Sequence, residues 1–182
     1  VYLSYSEPGQ GGSGIAVARA KIDLGSQPAQ LQGLQVIYRE QPKADGNANL
    51  GSRLAFAPDG RLFITVGDRF GLRDQAQDLS VSHGKAMRIE SDGRIPADNP
   101  FVKRPGALPE IYTYGHRNPQ GAAINPATGV LWTQEHGPQG GDEVNIERPG
   151  HNYGWPVITY GAEYGSGAKI GEGTSKPGMD QP

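Results

Sequence analysis

The sequence contains no cysteine, which excludes disulfide bonds and thiolate metal sites. This absence does not decide the compartment, because exported proteins can also lack cysteine. No apolar run approaches the ~20 residues that a membrane-spanning helix needs. The net charge is only −2, from 17 basic and 19 acidic residues that are interspersed along the chain. The charge therefore gives no electrostatic case for binding nucleic acid or an anionic membrane.

Helical patterns are also missing, since no window combines a 3.6-residue apolar stripe with capping residues. A glycine-rich phosphate loop and a G-x-S-x-G nucleophile elbow are absent as well. What is abundant is glycine and proline, with 28 and 15 residues among 182, against an ordinary combined share of about 12%. They follow no collagen-like period and separate short apolar runs. This pattern predicts many tight turns between short strands.

Ten runs have the β-branched or aromatic content and the flanking turn residues that are typical of strands. They are "VYLSYS", "GIAVARAKID", "LQVIYRE", "RLAFAP", "RLFITVGD", "KAMRIES", "EIYTYG", "GAAINP", "VLWTQE" and "DEVNIE". The sequence therefore predicts an all-β protein.

An internal repeat indicates how these strands are organised. "LAFAPDGRLFIT" resembles "AAINPATGVLWT" with one residue inserted at the turn, and Pro58 and Pro126 are 68 positions apart. Each unit reads as strand, proline–glycine turn, strand and polar loop, which is typical of β-propeller blades of roughly 40–50 residues. We predict one partial propeller domain over residues 1–182, with about two and a half to three blades. A self-contained β-sandwich of about eight strands is the alternative.

Both ends of the chain favour a longer protein. Val1 opens directly in a strand-like run, and "GMDQP" closes without a further element. We therefore expect sequence beyond both ends, including any signal peptide.

The stretch "YGHRNPQG" contains the first candidate site residues. Arg117 and Asn118 precede Pro119, so the chain is extended or turning there. The planar guanidinium of Arg117 suits a carboxylate or a carbonyl oxygen of a ligand. The alternative is an arginine that braces a loop by binding backbone carbonyls.

The stretch "EHGPQGGDE" is a candidate metal loop. Gly137 and Pro138 lie in kinked backbone whose carbonyls need partners, and Ca²⁺ binds such carbonyls together with carboxylates. Asp142 and Glu143 are adjacent and point in opposite directions on a strand, so at most one of them serves a given site. The alternative is a glycine-rich turn with solvated acids. His136 lacks a second histidine at zinc-binding spacing.

Other polar and aromatic residues have a plainer interpretation. Tyr153 and Trp155 in "GHNYGWP" are blade core by default, and His83 and His151 are structural or surface residues. The inserted stretch between Arg69 and His83 carries polar residues without an assigned role.

Five stretches together resemble one family, the soluble PQQ-dependent glucose/sorbosone dehydrogenases, most closely the aldose sugar dehydrogenase branch. They are "GSRLAFAPDGRLFITVGD", "GKAMRIESDGRIPADNPF", "YGHRNPQGAAINPATGVLW", "EHGPQGGDEVNI" and "HNYGWP". The resemblance implies a six-bladed β-propeller, of which this chain is a middle portion. It also implies a periplasmic or secreted protein that oxidises the anomeric carbon of a sugar to a lactone with PQQ and calcium. The electron acceptor is not identified by these motifs.

The resemblance also implies roles for individual residues. Arg117 and Asn118 would contact PQQ, with His136 beside its quinone. The carbonyls of Gly137 and Pro138 would hold the cofactor calcium. A second, structural calcium would use two positions that match Glu143 and Tyr153.

One position departs from the family pattern. The family's catalytic histidine lies four residues before the arginine of "G-[GS]-R-L", and Asn49 occupies that position here. An amide has no basic lone pair near neutral pH and cannot serve as the base. Two alternatives therefore remain, namely a non-catalytic propeller that binds a sugar or a partner, and a calcium-dependent lactonase-like hydrolase. The hydrolase would need carboxylates on the central channel, and the sequence offers no matching set.

Overall fold

The computed structural model describes residues 1–180 and contains ten β-strands and one short 3₁₀ helix, Arg73–Gln77. Each predicted strand-like run overlaps one of the strands, so the all-β prediction is confirmed. The strands are β1 (Tyr2–Gly9), β2 (Gly12–Asp23), β3 (Gln30–Arg39), β4 (Gly51–Phe56), β5 (Leu62–Val66), β6 (Lys85–Ile89), β7 (Ile111–Tyr114), β8 (Pro119–Ile124), β9 (Leu131–Glu135) and β10 (Glu143–Ile146).

The strands form three antiparallel sheets. Sheet 1 has the order β1-β2-β3, sheet 2 the order β4-β5-β6-β7, and sheet 3 the order β10-β9-β8. Consecutive strands are neighbours throughout, as in the up-and-down blades of a propeller.

The repeated units in the sequence are the hairpins β4–β5 and β8–β9. Their first strands, β4 and β8, lie side by side. The Thr65 hydroxyl joins the two sheets, because its Oγ1 accepts a hydrogen bond from the Arg53 amide at 2.9 Å and donates to the Pro119 carbonyl at 2.7 Å. Equivalent hairpins therefore present their following loops at the same end of adjacent sheets.

Strand β5 lies at the centre of the packing and is buried on both faces. Leu62, Ile64 and Val66 pack into a core that includes residues of sheet 1, among them Ile15. Phe63 points the other way and packs with Leu131 of sheet 3. This explains why "LFITV" is a continuous apolar run and does not alternate.

The outer sheets each expose apolar side chains on the face opposite this packing. Leu3 and Leu31 are exposed in sheet 1, and Trp132, Val144 and Ile146 in sheet 3. Exposed apolar faces are expected where further blades would pack. Within residues 1–180, no helix is long and apolar enough to cross a membrane.

Candidate functional site

Two loops that follow the equivalent hairpins define the candidate site. Loop A (residues 67–84) connects β5 to β6, and loop B (residues 136–142) connects β9 to β10. The segment before β8 lies between them, because the Asp68 amide donates to the Arg117 carbonyl at 2.7 Å and the His136 amide donates to the Asn118 carbonyl at 3.2 Å. The site therefore combines loops from two adjacent sheets.

Arg117 lies at the centre of this site and is 6% exposed. Its Nη1 donates to the carbonyls of His136 at 2.9 Å and Gly137 at 2.6 Å. The guanidinium carbon is also 5.6–6.0 Å from the ring centroids of Phe70, Trp155 and Tyr164, within the range of cation–π attraction. Arg117 thus braces loop B as the sequence alternative proposed, and the cofactor contact stays a prediction.

Asn118 and His136 lie on either side of Arg117. The Asn118 Oδ1 accepts a hydrogen bond from the Gly51 amide at 3.1 Å, which fixes the orientation of its amide group. His136 is about half exposed, with Nε2 3.1 Å from Gln120 Oε1 and Nδ1 3.7 Å from Asp142 Oδ2. Its imidazole is therefore accessible at the edge of the site.

Loop B is closely packed around Gly137. A Cβ at this position would lie 2.2 Å from the Gly141 carbonyl oxygen and 2.5 Å from the Gly140 oxygen, so only glycine fits. The Gly137 amide donates to Asp142 Oδ1 at 2.9 Å. This packing holds the Gly137 carbonyl in place beside Pro138, which suits a carbonyl-rich cation site.

Asn49, at the predicted base position, is bound to a carboxylate that sequence reasoning missed. Its Nδ2 donates to Asp68 Oδ1 at 2.8 Å, and the indole Nε1 of Trp155 donates to Asp68 Oδ2 at 2.7 Å. Burial raises the pKa of Asp68, and these hydrogen bonds oppose that effect. Asn49 has φ 48°, a left-handed conformation that asparagine and histidine adopt more readily than most residues.

A buried ion pair anchors loop A to sheet 1. Arg69 Nη1 lies 3.2 Å from Glu40 Oε1 and 2.7 Å from the Ser13 carbonyl, and both charged side chains are fully buried. His83 joins the cluster with Nε2 3.2 Å from the same Glu40 oxygen. His83 is therefore structural, as one of the two sequence interpretations held.

A second buried cation supports the base of loop A. The Lys85 ammonium donates to the carbonyls of Gln75, Ala76 and His83 at 2.6–3.0 Å. Burial lowers the pKa of Lys85 to about 7, and Asp78 only partly opposes this effect. Neutral carbonyls alone bind this ammonium directly.

Loop B is supported by a different kind of cation. His116 is fully buried, with Nδ1 2.9 Å from Glu135 Oε1 and Nε2 3.5 Å from Glu147 Oε2. Burial disfavours the imidazolium, but Glu147 and Glu135 outweigh it and raise the pKa of His116 to about 10. Glu135 Oε2 also accepts the Arg117 amide at 2.6 Å, so this ion pair fixes the backbone that presents Arg117.

Glu143 lies beside the same acidic cluster. Burial and the nearby Glu135 carboxylate raise the pKa of Glu143 to about 7, which means that the site would favour a cation there.

The Tyr153 hydroxyl is already engaged, because it donates to the Ile146 carbonyl at 2.5 Å and accepts the Arg148 amide at 2.9 Å. A calcium ion bound to that hydroxyl would displace these bonds. Over residues 1–180, no cluster of three or more His, Cys, Asp or Glu side chains is arranged to hold a metal, so calcium at Glu143 and Tyr153 stays a prediction.

Comparison with known proteins identifies the relatives of this fold and site. The glucose/sorbosone dehydrogenase family model matches residues 1–182. Aldose sugar dehydrogenase YliI of Escherichia coli (strain K12) is 45% identical over 187 residues, which cover 100% of this chain and 49% of that protein. The chain spans about half the length of the curated relatives it matches.

Solved structures give the same result. A crystal structure of glucose dehydrogenase superposes with a TM-score of 0.94 at 45% identity, covering 100% of this chain and 52% of that one. The PQQ-bound aldose sugar dehydrogenase from Streptomyces coelicolor has a TM-score of 0.70 at 32% identity, covering 92% and 47%. These similarities confirm the β-propeller prediction, with sheets 1 to 3 as part of the propeller. The chain belongs to the glucose/sorbosone dehydrogenase family.

Proposed function

We propose that the chain forms about half of a sugar dehydrogenase that uses PQQ and calcium to oxidise an aldose to a lactone. The observation that carries this proposal is the position of Arg117. Its buried guanidinium faces the space between loops A and B and contacts the Gly137 carbonyl at 2.6 Å. A fixed guanidinium beside a backbone carbonyl fits a flat ligand that carries carboxylates and also binds a metal.

The residues present fit both implied groups. Arg117 and Asn118 would bind PQQ, with His136 at its edge, and the carbonyls of Gly137 and Pro138 would hold the cofactor calcium. The excess of buried carboxylates near Glu143 favours a second cation there, with Tyr153 as the neighbouring position. When bound, PQQ supplies the acceptor for the hydride that leaves the sugar.

Asn49 determines which steps of the reaction this chain can support. Its amide donates to Asp68 Oδ1, which leaves the amide oxygen to accept a hydrogen bond from a sugar hydroxyl. Asn49 can therefore orient a sugar, but it cannot take the hydroxyl proton as a histidine would.

The same observation favours a second candidate, a propeller that binds cofactor and sugar without turnover. The two candidates share their substrate class, a small sugar, and we propose a periplasmic or secreted location for both. They differ in whether the loaded protein turns the sugar over, because Asn49 cannot itself accept the hydroxyl proton.

The test is a PQQ titration of the full-length protein in the presence of Ca²⁺, followed by absorbance. Saturable binding that EDTA abolishes would support the cofactor proposal, and no binding would overturn it.

Sugar oxidation by the loaded wild type would support the dehydrogenase and reject the non-catalytic propeller. If the wild type is inactive, Asn49→His should restore turnover, and Asn49→Gly is the matched control because glycine accepts the same backbone conformation without supplying a base. A loaded but inactive Asn49→His protein would show that the missing base is not the cause.

A further inference from the structure

An aromatic pair stands at the entrance to the Arg117 site and has no role in the function proposed so far. Phe70 comes from loop A and Tyr164 from the segment after sheet 3. Their ring centroids are 6.5 Å apart with an interplanar angle of 25°. Both are large apolar side chains that remain more than half exposed, at 54% and 56%.

The pair borders a cavity with Arg117 and Trp155 in its lining. The cavity volume is about 270 Å³, near the lower end of the roughly 300–1,000 Å³ that is usual for ligand cavities. This size suits a ligand of about one sugar ring. Arg73 and Glu163 form an ion pair at 2.5 Å beside the two rings and link the two segments.

The backbone at Phe70 has a left-handed conformation that is unusual for an aromatic residue. Phe70 has φ 61° and Arg69 has φ 59°, although neither is glycine. Asp68 Oδ1 accepts the Phe70 amide at 2.8 Å, and the buried ion pair of Arg69 holds the preceding residue. Glycine or asparagine would adopt this conformation more easily. A strained, exposed aromatic residue at a ligand cavity indicates that the ring itself is used.

The same carboxylate connects this ring to the base position. Asp68 Oδ1 binds both the Asn49 amide group and the Phe70 backbone amide, each at 2.8 Å. A sugar whose anomeric hydroxyl meets Asn49 would therefore place its ring near Phe70.

The charged side chains around the pair include both acids and arginines. Asp74 and Glu163 line the cavity together with Arg73 and Arg117. Arg73 is paired with Glu163, so within residues 1–180 Asp74 is the acid on this rim without an arginine at salt-bridge distance. A sugar suits this rim, since its hydroxyls donate to the Asp74 carboxylate and its C–H face stacks on an aromatic ring.

We propose that Phe70 and Tyr164 form the stacking surface for the sugar ring, and that Phe70 is retained for this role although it lowers the stability of loop A. The inference rests on the proposed function. It names the residues that recognise the sugar, separately from those that hold PQQ and calcium.

The experiment measures glucose binding to the full-length protein loaded with Ca²⁺ and PQQ, by isothermal calorimetry, or as KM where the loaded protein turns over. The variants are Phe70→Asn and Tyr164→Ala. The control is Leu24→Ala, which removes an apolar side chain that is 71% exposed in the turn after β2. We expect each variant to weaken glucose binding about three- to tenfold and to change PQQ affinity less than about twofold. Phe70→Asn should in addition raise the melting temperature, while the control leaves glucose binding unchanged.

The outcomes separate this inference from the proposed function. If the wild type binds PQQ and glucose but the variants bind glucose equally well, the stacking inference is wrong and the function stands. A parallel loss of PQQ affinity would overturn it too, because the pair would then contact the cofactor. If the wild type binds no PQQ, the proposed function fails and the inference fails with it.

Discussion

Loops A and B follow equivalent hairpins in adjacent blades, yet they contribute different chemistry. Loop A contributes side chains to the site. Asp68 accepts hydrogen bonds, Arg69 forms a buried ion pair, and Phe70 presents an exposed ring. Loop B works through its backbone, because its packing at Gly137 excludes a side chain and leaves carbonyls to bind cations. One repeated unit can thus supply both halves of a ligand site when its connecting loop varies.

The two loops also rest on buried cations that are stabilised by opposite means. Lys85 below loop A is bound by neutral carbonyls, and burial lowers its pKa to about 7. His116 below loop B lies between carboxylates, which raise its pKa to about 10. Carboxylates keep a buried charge ionised where carbonyl dipoles alone do not.

The largest expected effect comes from breaking the anchor of loop A. Arg69→Met leaves the Glu40 carboxylate buried without its guanidinium partner, so the free energy of unfolding should fall by about 3–5 kcal/mol. Urea denaturation measures this loss. Arg39→Met is the control, because the Arg39–Glu7 pair is on the surface and its loss should change stability far less. Equal losses in the two variants would contradict the anchoring role.

The two buried cations give opposite pH dependence of stability. His116 has a folded pKa of about 10 and an unfolded value of 6.5, so its contribution to stability is lost as pH rises between them. Lys85 has a folded pKa of about 7 and an unfolded value of 10.5. Its burial therefore lowers the stability of the protein increasingly as pH falls from about 10.5 to about 7. The two slopes oppose each other between about pH 7 and 10, where the wild type should be nearly level.

Lys85→Met should expose the His116 slope. Its free energy of unfolding should decrease by about 1.4 kcal/mol per pH unit between pH 7 and 10, measured by urea denaturation at each pH. A Lys85→Met profile as level as that of the wild type would show that the compensation is absent.

A smaller effect is expected from loop B. Gly137→Ala adds a Cβ within 2.2 Å of the Gly141 carbonyl oxygen, so the loop must shift and stability should fall by about 1–3 kcal/mol. Calcium-dependent PQQ binding should be lost as the carbonyl moves. Gly173→Ala is the control, since a Cβ there meets nothing within 4 Å. If Gly137→Ala bound PQQ with wild-type affinity, the position of the Gly137 carbonyl would not be required for cofactor binding.

The smallest effect should come from the rim ion pair. Arg73 and Glu163 have side chains that are 42% and 38% exposed, so Arg73→Ala should reduce stability by only about 0.2–1 kcal/mol. Thermal denaturation with and without 0.5 M salt tests this expectation, because salt screens a surface pair. A decrease of several kcal/mol in the free energy of unfolding would mean that the ion pair holds loop A and the segment after sheet 3 in place.

Local sequence patterns predicted the strands and the repeated hairpins because turn chemistry and apolar runs are local signals. They also placed Arg117 and Gly137 in one site, through the family resemblance. They could not identify Asp68 or Arg69 as anchors, since the partners Asn49 and Glu40 are 19 and 29 positions away. Nor did they indicate that Lys85 lies within the fold, because no periodic pattern marks a buried lysine.

The left-handed backbone at Asn49 has a consequence for how such proteins diverge. At φ 48° only a few residue types are accommodated without strain, and asparagine and histidine are both among them. Exchange between asparagine and histidine at this position therefore changes one side chain without a change in the main-chain conformation. Such an exchange is a single reversible step in sequence.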